Sequence, residues 1–205
     1  MSKFIVFEGL DGSGKGTQIR LLCEKFKRQG KAFQQTAEPT FSVTGGAIRD
    51  ALNGNHPRHP AELAALFLTD RIYHNTGKFD GIELLLSQGK HVICDRYYYS
   101  SFAYQGTGCD MQWVMEMNLN CPNIRRPDLC IYLDVDPQRS KARVDGANKS
   151  LEIFEQDVAQ ITAIRNKFMK AFELLGDRET IVLIDADRPV DEVAADVWDA
   201  VRRIL

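Results

Sequence analysis

No apolar run in this sequence approaches the roughly eighteen residues that a membrane-crossing helix needs. The opening stretch Met1 to Glu8 passes at once into a glycine-rich loop, with no basic segment ahead of an apolar core, so neither a secretory signal nor a membrane anchor is expected. An excess of one charge is also missing. Lys plus Arg (26) nearly balance Asp plus Glu (28), for a formal net charge of −2, which excludes the global field that draws a protein to nucleic acid or anionic lipid. Any binding of phosphate must be local.

The cysteines are few and unpatterned. Cys23, Cys94, Cys109, Cys121 and Cys130 are odd in number and never spaced C-x-x-C, so they predict reduced thiols in a cytoplasmic protein and neither a disulfide framework nor a zinc site. The four histidines, His56, His59, His74 and His91, have no metal-ligand spacing and are expected to be structural or exposed. No Ser/His/Asp constellation is visible. No internal repeat, low-complexity tract or Pro/Gly/Ser-rich linker divides the chain, and a single domain spanning residues 1–205 is expected. Apolar residues at 44% and charged residues at 26% are ordinary for a folded globular chain.

Four short runs rich in Val and Ile read as buried parallel strands: Phe4 to Phe7, His91 to Cys94, Leu129 to Leu133 and Ile181 to Ile184. Each ends at a carboxylate, namely Glu8, Asp95, Asp134 and Asp185, and a weaker run near Lys31 to Thr36 adds a fifth strand. Helical stripes lie between them: Ile19, Leu22, Cys23 and Phe26; Phe154, Val158, Ile161, Phe168, Phe172 and Leu175; Val193, Val197 and Val201. Strand and helix in alternation predict an α/β three-layer fold, a five-stranded parallel sheet with helices on both faces and ligands at the carboxyl ends of the strands. Asn53 to Pro60 and Asp145 to Ser150 read as the loosest loops.

The first strand runs into Gly9-Leu10-Asp11-Gly12-Ser13-Gly14-Lys15-Gly16-Thr17 and then into an amphipathic helix, which is the setting a phosphate-binding P-loop requires. Glycines let successive N–H groups converge on phosphate oxygens, and the helix N-terminus and Lys15 add positive charge. In the pattern G-x-x-x-x-G-K-[ST] a hydroxyl follows the lysine directly, whereas here Gly16 stands there and Thr17 comes next. The wording also resembles adenylate kinases, so the loop by itself names a nucleotide kinase or NTPase and no acceptor.

Further along, Phe67 and Arg71 are spaced i, i+4 and share a helix face, an aromatic plate beside a cation. Asp95-Arg96-Tyr97 follows the third strand and continues as Tyr98-Tyr99-Ser100-Ser101-Phe102-Ala103-Tyr104-Gln105-Gly106. This run resembles the D-R-Y-x-x-S-x-x-A-Y-Q-G stretch of thymidylate kinases. The same family has F-x-x-x-R upstream, a Glu-Pro pair matched by Glu38-Pro39, and R-P-D-L-x-x-x-L-D-V matched from Arg126 to Val135; the end of the chain, Ile184-Asp185-Ala186 with Pro189, Glu192 and Val193, corresponds too.

The resemblance implies a Mg²⁺-dependent transfer of the γ-phosphoryl of ATP to dTMP, usually by a homodimer, with the apolar stretch Leu63 to Leu68 open to a role either there or in the core. It implies that residues Gly9 to Thr17 hold ATP, that Phe67 stacks on thymine, that Arg71 donates to a thymine carbonyl, and that Arg96 clamps the dTMP phosphate. Asp11 and Asp95 would position the acceptor and the Mg²⁺ shell with Thr17, and Glu38 would line the acceptor site. Tyr104 would sit against the sugar, and Gln105 and Ser101 would meet the base edge or neighbouring phosphates.

Two departures from the family stand out. Its charge-stabilising arginine lies in the P-loop or in a lid, here residues 143–154; this P-loop has none, and Ile153 stands where the lid arginine is expected, leaving Arg143 or Arg165, with Arg139, Lys141 and Lys149 nearby. Ala37 replaces an arginine before Glu38-Pro39, which puts more weight on Arg96 and Arg49. Two other readings stay open: a kinase for another acceptor such as dUMP, another deoxynucleotide or AMP, and, from Gly16 and Ile153, a nucleotide-binding regulatory protein without catalysis.

Overall fold

Alternation along the central strand explains a core with two sides. In β1 (Phe4–Glu8), Phe4 and Val6 pack into one hydrophobic cluster and Ile5 and Phe7 into another, all fully buried. In this computed structural model, which describes residues 1–146 and 157–205, β1 is flanked by β3 (His91–Asp95) and β4 (Leu129–Asp134). The edges are β2 (Phe33–Ala37) and β5 (Ile181–Asp185), giving the order β2-β3-β1-β4-β5 with every pair parallel. The five expected strands are present.

The register brings Phe7 level with Asp95, Glu8 with Tyr132 and Asp134 with Asp185, so the terminal carboxylates gather at one end of the sheet. Because β3 and β4 lie on opposite sides of β1, consecutive connections leave in opposite directions and open a crevice at those carboxyl ends.

One face of the sheet is covered by α1 (Lys15–Arg28) and α9 (Val190–Arg202), whose stripes Ile19, Leu22, Cys23, Phe26 and Val193, Val197, Val201 are all buried. The last turn of α1 carries Lys25, Lys27 and Arg28, which suit the negative end of the helix dipole. The other face receives α4 (Ile82–Ser87), α5 (Tyr98–Gly108), α6 (Met111–Leu119) and α8 (Val158–Leu175). Asp110 starts α6 and Asp157 starts α8, each accepting from backbone N–H groups of the first turn. Tyr97, Tyr98 and Tyr99 are fully buried against one another and Phe102 in this second core.

A smaller cluster joins α2 (Val43–Leu52) to α3 (Pro60–Thr76), with Leu63 buried among Ile48, Ala51 and Leu52 and with Leu66 and Phe67 packed against them. Leu63, Leu66 and Phe67 of the apolar stretch thus pack in this core.

Two expectations need correction. The run Ile181 to Ile184 reads as a fully buried strand, but β5 is an edge strand with Leu183 49% exposed, since helix α9 covers only one of its faces. The weak strand expected near Lys31 to Thr36 is present as Phe33–Ala37, in register with β3 from His91 to Asp95. Asp145 and Gly146 belong to α7 (Pro137–Gly146) and not to a loop. The rest of the expected lid after Gly146, with Lys149 and Ile153, lies outside the described residues, as does Phe154.

Candidate active site

Residues 9–14 connect β1 to α1, and Gly14, in the left-handed region at φ 92°, caps the helix without a side-chain acceptor. The first-turn N–H groups are thus left for an anion. Lys15 is buried, and its Nζ donates to the carbonyls of Gly9 at 2.8 Å and Leu10 at 3.1 Å, with Asp11 Oδ1 3.9 Å away. Ser13 Oγ is buried with no hydrogen-bond partner in the described structure, and it lies beside Gly9, 2.8 Å from where a Cβ there would stand.

Helix α7 closes over this loop. Ser140 Oγ donates to Asp11 O at 2.5 Å, and a Cβ on Gly12 would stand 2.8 Å from Ser140 O and 3.3 Å from Arg143 Cβ. With φ at 75° as well, position 12 admits only glycine, which is a physical reason why no arginine occupies the P-loop here. Arg143 reaches the loop from α7 instead: its guanidinium donates to Gly12 O at 3.2 Å, Ala186 O at 3.4 Å and Asp187 at 3.3 Å. Arg165, the other arginine considered for charge stabilisation, is committed to Asp134 by two parallel bonds of 2.7 and 2.6 Å.

Beside the cradle, a cleft is lined by Glu38, Phe67, Arg71, Arg96, Tyr104 and Gln105 among others. Arg71 is 1% exposed and wired on every side. Its Nε and Nη2 lie 2.8 and 2.6 Å from Glu38 Oε2, Nη1 donates to Asn118 Oδ1 at 2.5 Å, Nη2 donates to Ser101 Oγ at 3.1 Å, and the guanidinium lies over the Tyr97 ring. Ser101 therefore stands behind Arg71, as one of the groups that hold its guanidinium. Gln105 is 3% exposed, and its Oε1 has no partner in the described structure, so a buried acceptor waits on the wall of the cleft.

Arg96 links cleft and cradle. It pairs with Asp11 of the loop, donates to Ser100 Oγ at 3.1 Å and Tyr104 Oη at 3.3 Å, and lies over the Tyr104 ring. Its backbone sits at φ 66°, a left-handed conformation that costs a non-glycine residue of order 1 kcal/mol or more and concentrates at functional positions. The turn is held by Glu8, fully buried, which accepts from Tyr97 N–H at 2.8 Å, Ser100 N–H at 3.1 Å and Ser100 Oγ at 2.7 Å. Burial pushes the Glu8 carboxyl up to about 7, against the opposing pull of Arg96, Ser100, the Tyr97 amide and Lys15.

For a divalent cation the fit is favourable. Thr17 is exposed in the first turn of α1, and Asp95 at the end of β3 has a buried Oδ1 without a partner in the described structure. One hydroxyl and one carboxylate are the sparse protein donor set that Mg²⁺ takes when nucleotide phosphates supply the rest.

Several participants escaped the sequence reading. Asp70, buried between Phe67 and Arg71 in chain order, accepts from Thr40 N–H and the hydroxyls of Thr40 and Ser42, tying the loop after Pro39 to α3. Ser100, and not Ser101, touches Arg96. Arg49, expected to replace a lost phosphate contact, binds the carbonyls of Pro39 and Thr40. His74 bonds to Glu38; its only sequence signal is its place one turn after Arg71, while Asn118 gives none.

Comparison with known proteins agrees with this arrangement. The family model described as thymidylate kinase matches residues 7–197. A probable thymidylate kinase of Pyrococcus horikoshii is 36% identical, covering 98% of this chain and 97% of its own. A thymidylate kinase of Leptospira borgpetersenii is also 36% identical over 93% of this chain and 88% of its own, and one of Thermomicrobium roseum is 33% identical over 100% and 97%. With its P-loop, its arginine-lined cleft and these matches over nearly the whole length, the chain belongs to the thymidylate kinase family.

Proposed function

We propose that this protein, as a single domain, transfers the γ-phosphoryl group of ATP to dTMP, giving dTDP and ADP for dTTP synthesis, and that the residues around the P-loop and the adjoining cleft carry the reaction. The observation that bears most weight is the convergence of Phe67, Arg71, Tyr104 and Gln105 on one cleft whose inner end meets the P-loop through the Arg96–Asp11 pair.

In this reading thymine slides against Phe67, with Arg71 donating toward a base carbonyl and the free Gln105 Oε1 accepting the ring N–H. Tyr104 packs on the sugar. Arg96 exchanges part of its pairing with Asp11 for the dTMP phosphate, placing an anionic phosphate oxygen in line with the γ-phosphorus. The loop N–H groups and Lys15 hold the β- and γ-phosphates of ATP. The acceptor oxygen forms its bond to phosphorus as the bond to the β-phosphate oxygen breaks, and ADP leaves with that electron pair. The attacking oxygen carries no proton at neutral pH, so alignment and charge neutralisation do the work and no general base is needed. Thr17 and Asp95 would hold Mg²⁺, which would neutralise charge on the phosphates. Arg143, the cation nearest the loop in the described structure apart from Lys15 and Arg96, is assigned the donor-side charge.

A homodimer in the cytoplasm completes the proposal. Phe41, Val43 and Tyr73 are 99, 93 and 48% exposed near α2 and α3, an apolar surface suited to a second copy, and all five cysteines are free thiols. Among the described residues no helix is long and apolar enough to cross a membrane.

The test is ADP release from Mg-ATP with dTMP, dUMP, dCMP, dGMP, UMP and AMP in turn. ADP formed chiefly with dTMP is the expected result; ADP with none of them would sink the catalytic reading. Light scattering of the purified chain tests the dimer.

A further inference from the structure

Glu38 uses both carboxylate oxygens in different directions. Oε2 takes Arg71, and Oε1 lies 2.9 Å from His74 Nδ1. His74 sits one turn beyond Arg71 on α3 and is 5% exposed, and its second nitrogen, Nε2, lies 2.8 Å from Thr36 Oγ1 on β2. A continuous chain of bonds thus runs from the edge strand to the cleft: Thr36, His74, Glu38, Arg71. A carboxylate held by one partner can swing about its last torsion and carry the guanidinium with it. A carboxylate held at both oxygens cannot, so His74, with Asn118 and Ser101, helps to fix the direction in which Arg71 presents its N–H groups to the cleft.

We propose that His74 is a positioning residue of the acceptor site, acting through Glu38 to fix Arg71 for recognition of the base. With Thr36 Oγ–H donating to Nε2, the ring carries its proton on Nδ1 and donates it to Glu38, so both bonds favour one tautomer. The role rests on the assignment of Arg71 to the nucleobase made above. It differs from a packing role because it acts through one nitrogen of the ring. His74 therefore sets dTMP affinity and leaves the ATP side untouched.

The two ring nitrogens can be separated by substitution. The amide nitrogen of asparagine lies as many bonds from Cα as Nδ1 does, and that of glutamine as many as Nε2. His74→Asn retains a donor for Glu38, whereas His74→Gln retains only the Thr36 arm. The expected result is that His74→Gln raises the KM for dTMP by about tenfold to a hundredfold, the usual worth of a hydrogen bond to a charged group. His74→Asn should stay within about threefold of the unsubstituted protein, and the KM for ATP should hardly change in either. Equal losses in both variants, or parallel changes in the dTMP and ATP constants, would overturn the proposal.

Should His74→Gln fail to fold, Thr36→Val tests the same chain from its outer end. A rise of about threefold in the KM for dTMP, smaller than the loss of the Glu38 arm, is expected, and an unchanged value would overturn the proposal. An unsubstituted protein that phosphorylates no dTMP would instead remove the functional assignment, so the two failures are distinguishable.

Discussion

On the proposed acceptor side of the cleft, Arg71 is 1% exposed and held by Glu38, Ser101 and Asn118 at 2.5 to 3.1 Å, whereas on the proposed donor side the Arg143 side chain is 41% exposed and meets Gly12, Ala186 and Asp187 at 3.2 to 3.4 Å. On the proposed roles, the contrast follows from what each side has to do. A base is recognised by donors and acceptors fixed before it arrives, because a misplaced partner leaves buried polar groups unmatched. Charge on a transferring phosphoryl group is met by a cation that can follow it, and long, loosely bonded side chains suit that task.

If the acceptor side is the wired one, its loss should be the more severe. Arg96→Ala removes the proposed phosphate clamp together with its pairing to Asp11. A fall in kcat/KM for dTMP of about 10² to 10³, the usual cost of removing one partner of a hydrogen-bonded charge pair at a binding site, is expected in steady-state assays. A loss under tenfold would mean that another cation holds the acceptor.

Arg71→Met strips the guanidinium from a carboxylate that stays 5% exposed. Removing one partner of a buried pair typically costs roughly 3 to 5 kcal/mol, to be read as a lowered urea midpoint as well as lost dTMP binding. Adding Glu38→Gln should recover part of that stability, since it removes the unpaired charge; no recovery would locate the cost in packing instead.

The same half contains a pH-dependent element. Glu8 is raised from an ordinary 4.5 to about 7 by burial. The folded state therefore binds this proton more tightly than the unfolded one, and the stabilisation is complete below about 4.5, declines as pH rises, and is lost once pH passes about 7. The span corresponds to something on the order of 3 kcal/mol. Glutamine could accept from Tyr97 and Ser100 N–H through Oε1 and donate to Ser100 Oγ. Glu8→Gln should thus gain on the unsubstituted protein between pH 5 and 7 in urea titrations, with a constant difference above that; parallel curves throughout would show that Glu8 stays ionised.

How much of this contrast was legible in the sequence depended on its range. The sheet was readable because strands buried on both faces must be continuously apolar and must end where the ligand crevice begins, as at Glu8, Asp95 and Asp134. Phe67 and Arg71 were readable because a helix fixes what lies four residues apart. The partners of Arg71 were not: Glu38, Ser101 and Asn118 come from three other parts of the chain, and only the fold brings them within bonding distance. The edge position of β5 was hidden for a similar reason, since its composition matches that of a central strand. At Arg96 the sequence showed the residue and concealed its left-handed backbone.

On the donor side, Arg143→Ala should be milder, because its contacts are long and partly solvated. About a tenfold loss in kcat, with little change in melting temperature, is the expected outcome. A loss as large as that of Arg96→Ala would erase the contrast, making Arg143 the principal charge-stabilising group although the structure holds it loosely.

The smallest effect tests whether the donor side has room for improvement. A Cβ at Gly16 would meet nothing within 4 Å, so this position, unlike Gly12, is open to a side chain. Gly16→Ser places a hydroxyl directly after Lys15 while Thr17 stays in place, and removes a glycine from the first turn of α1. Helix propensity favours the change by about 0.5 kcal/mol. If the hydroxyl adjoining the lysine is the better Mg²⁺ partner, the Mg²⁺ concentration for half-maximal activity should fall by about threefold, worth somewhat under 1 kcal/mol. An unchanged Mg²⁺ requirement with the expected gain in stability would mean that Thr17 already meets the metal's need from one position further along, and that the glycine after the lysine costs the enzyme nothing in metal binding.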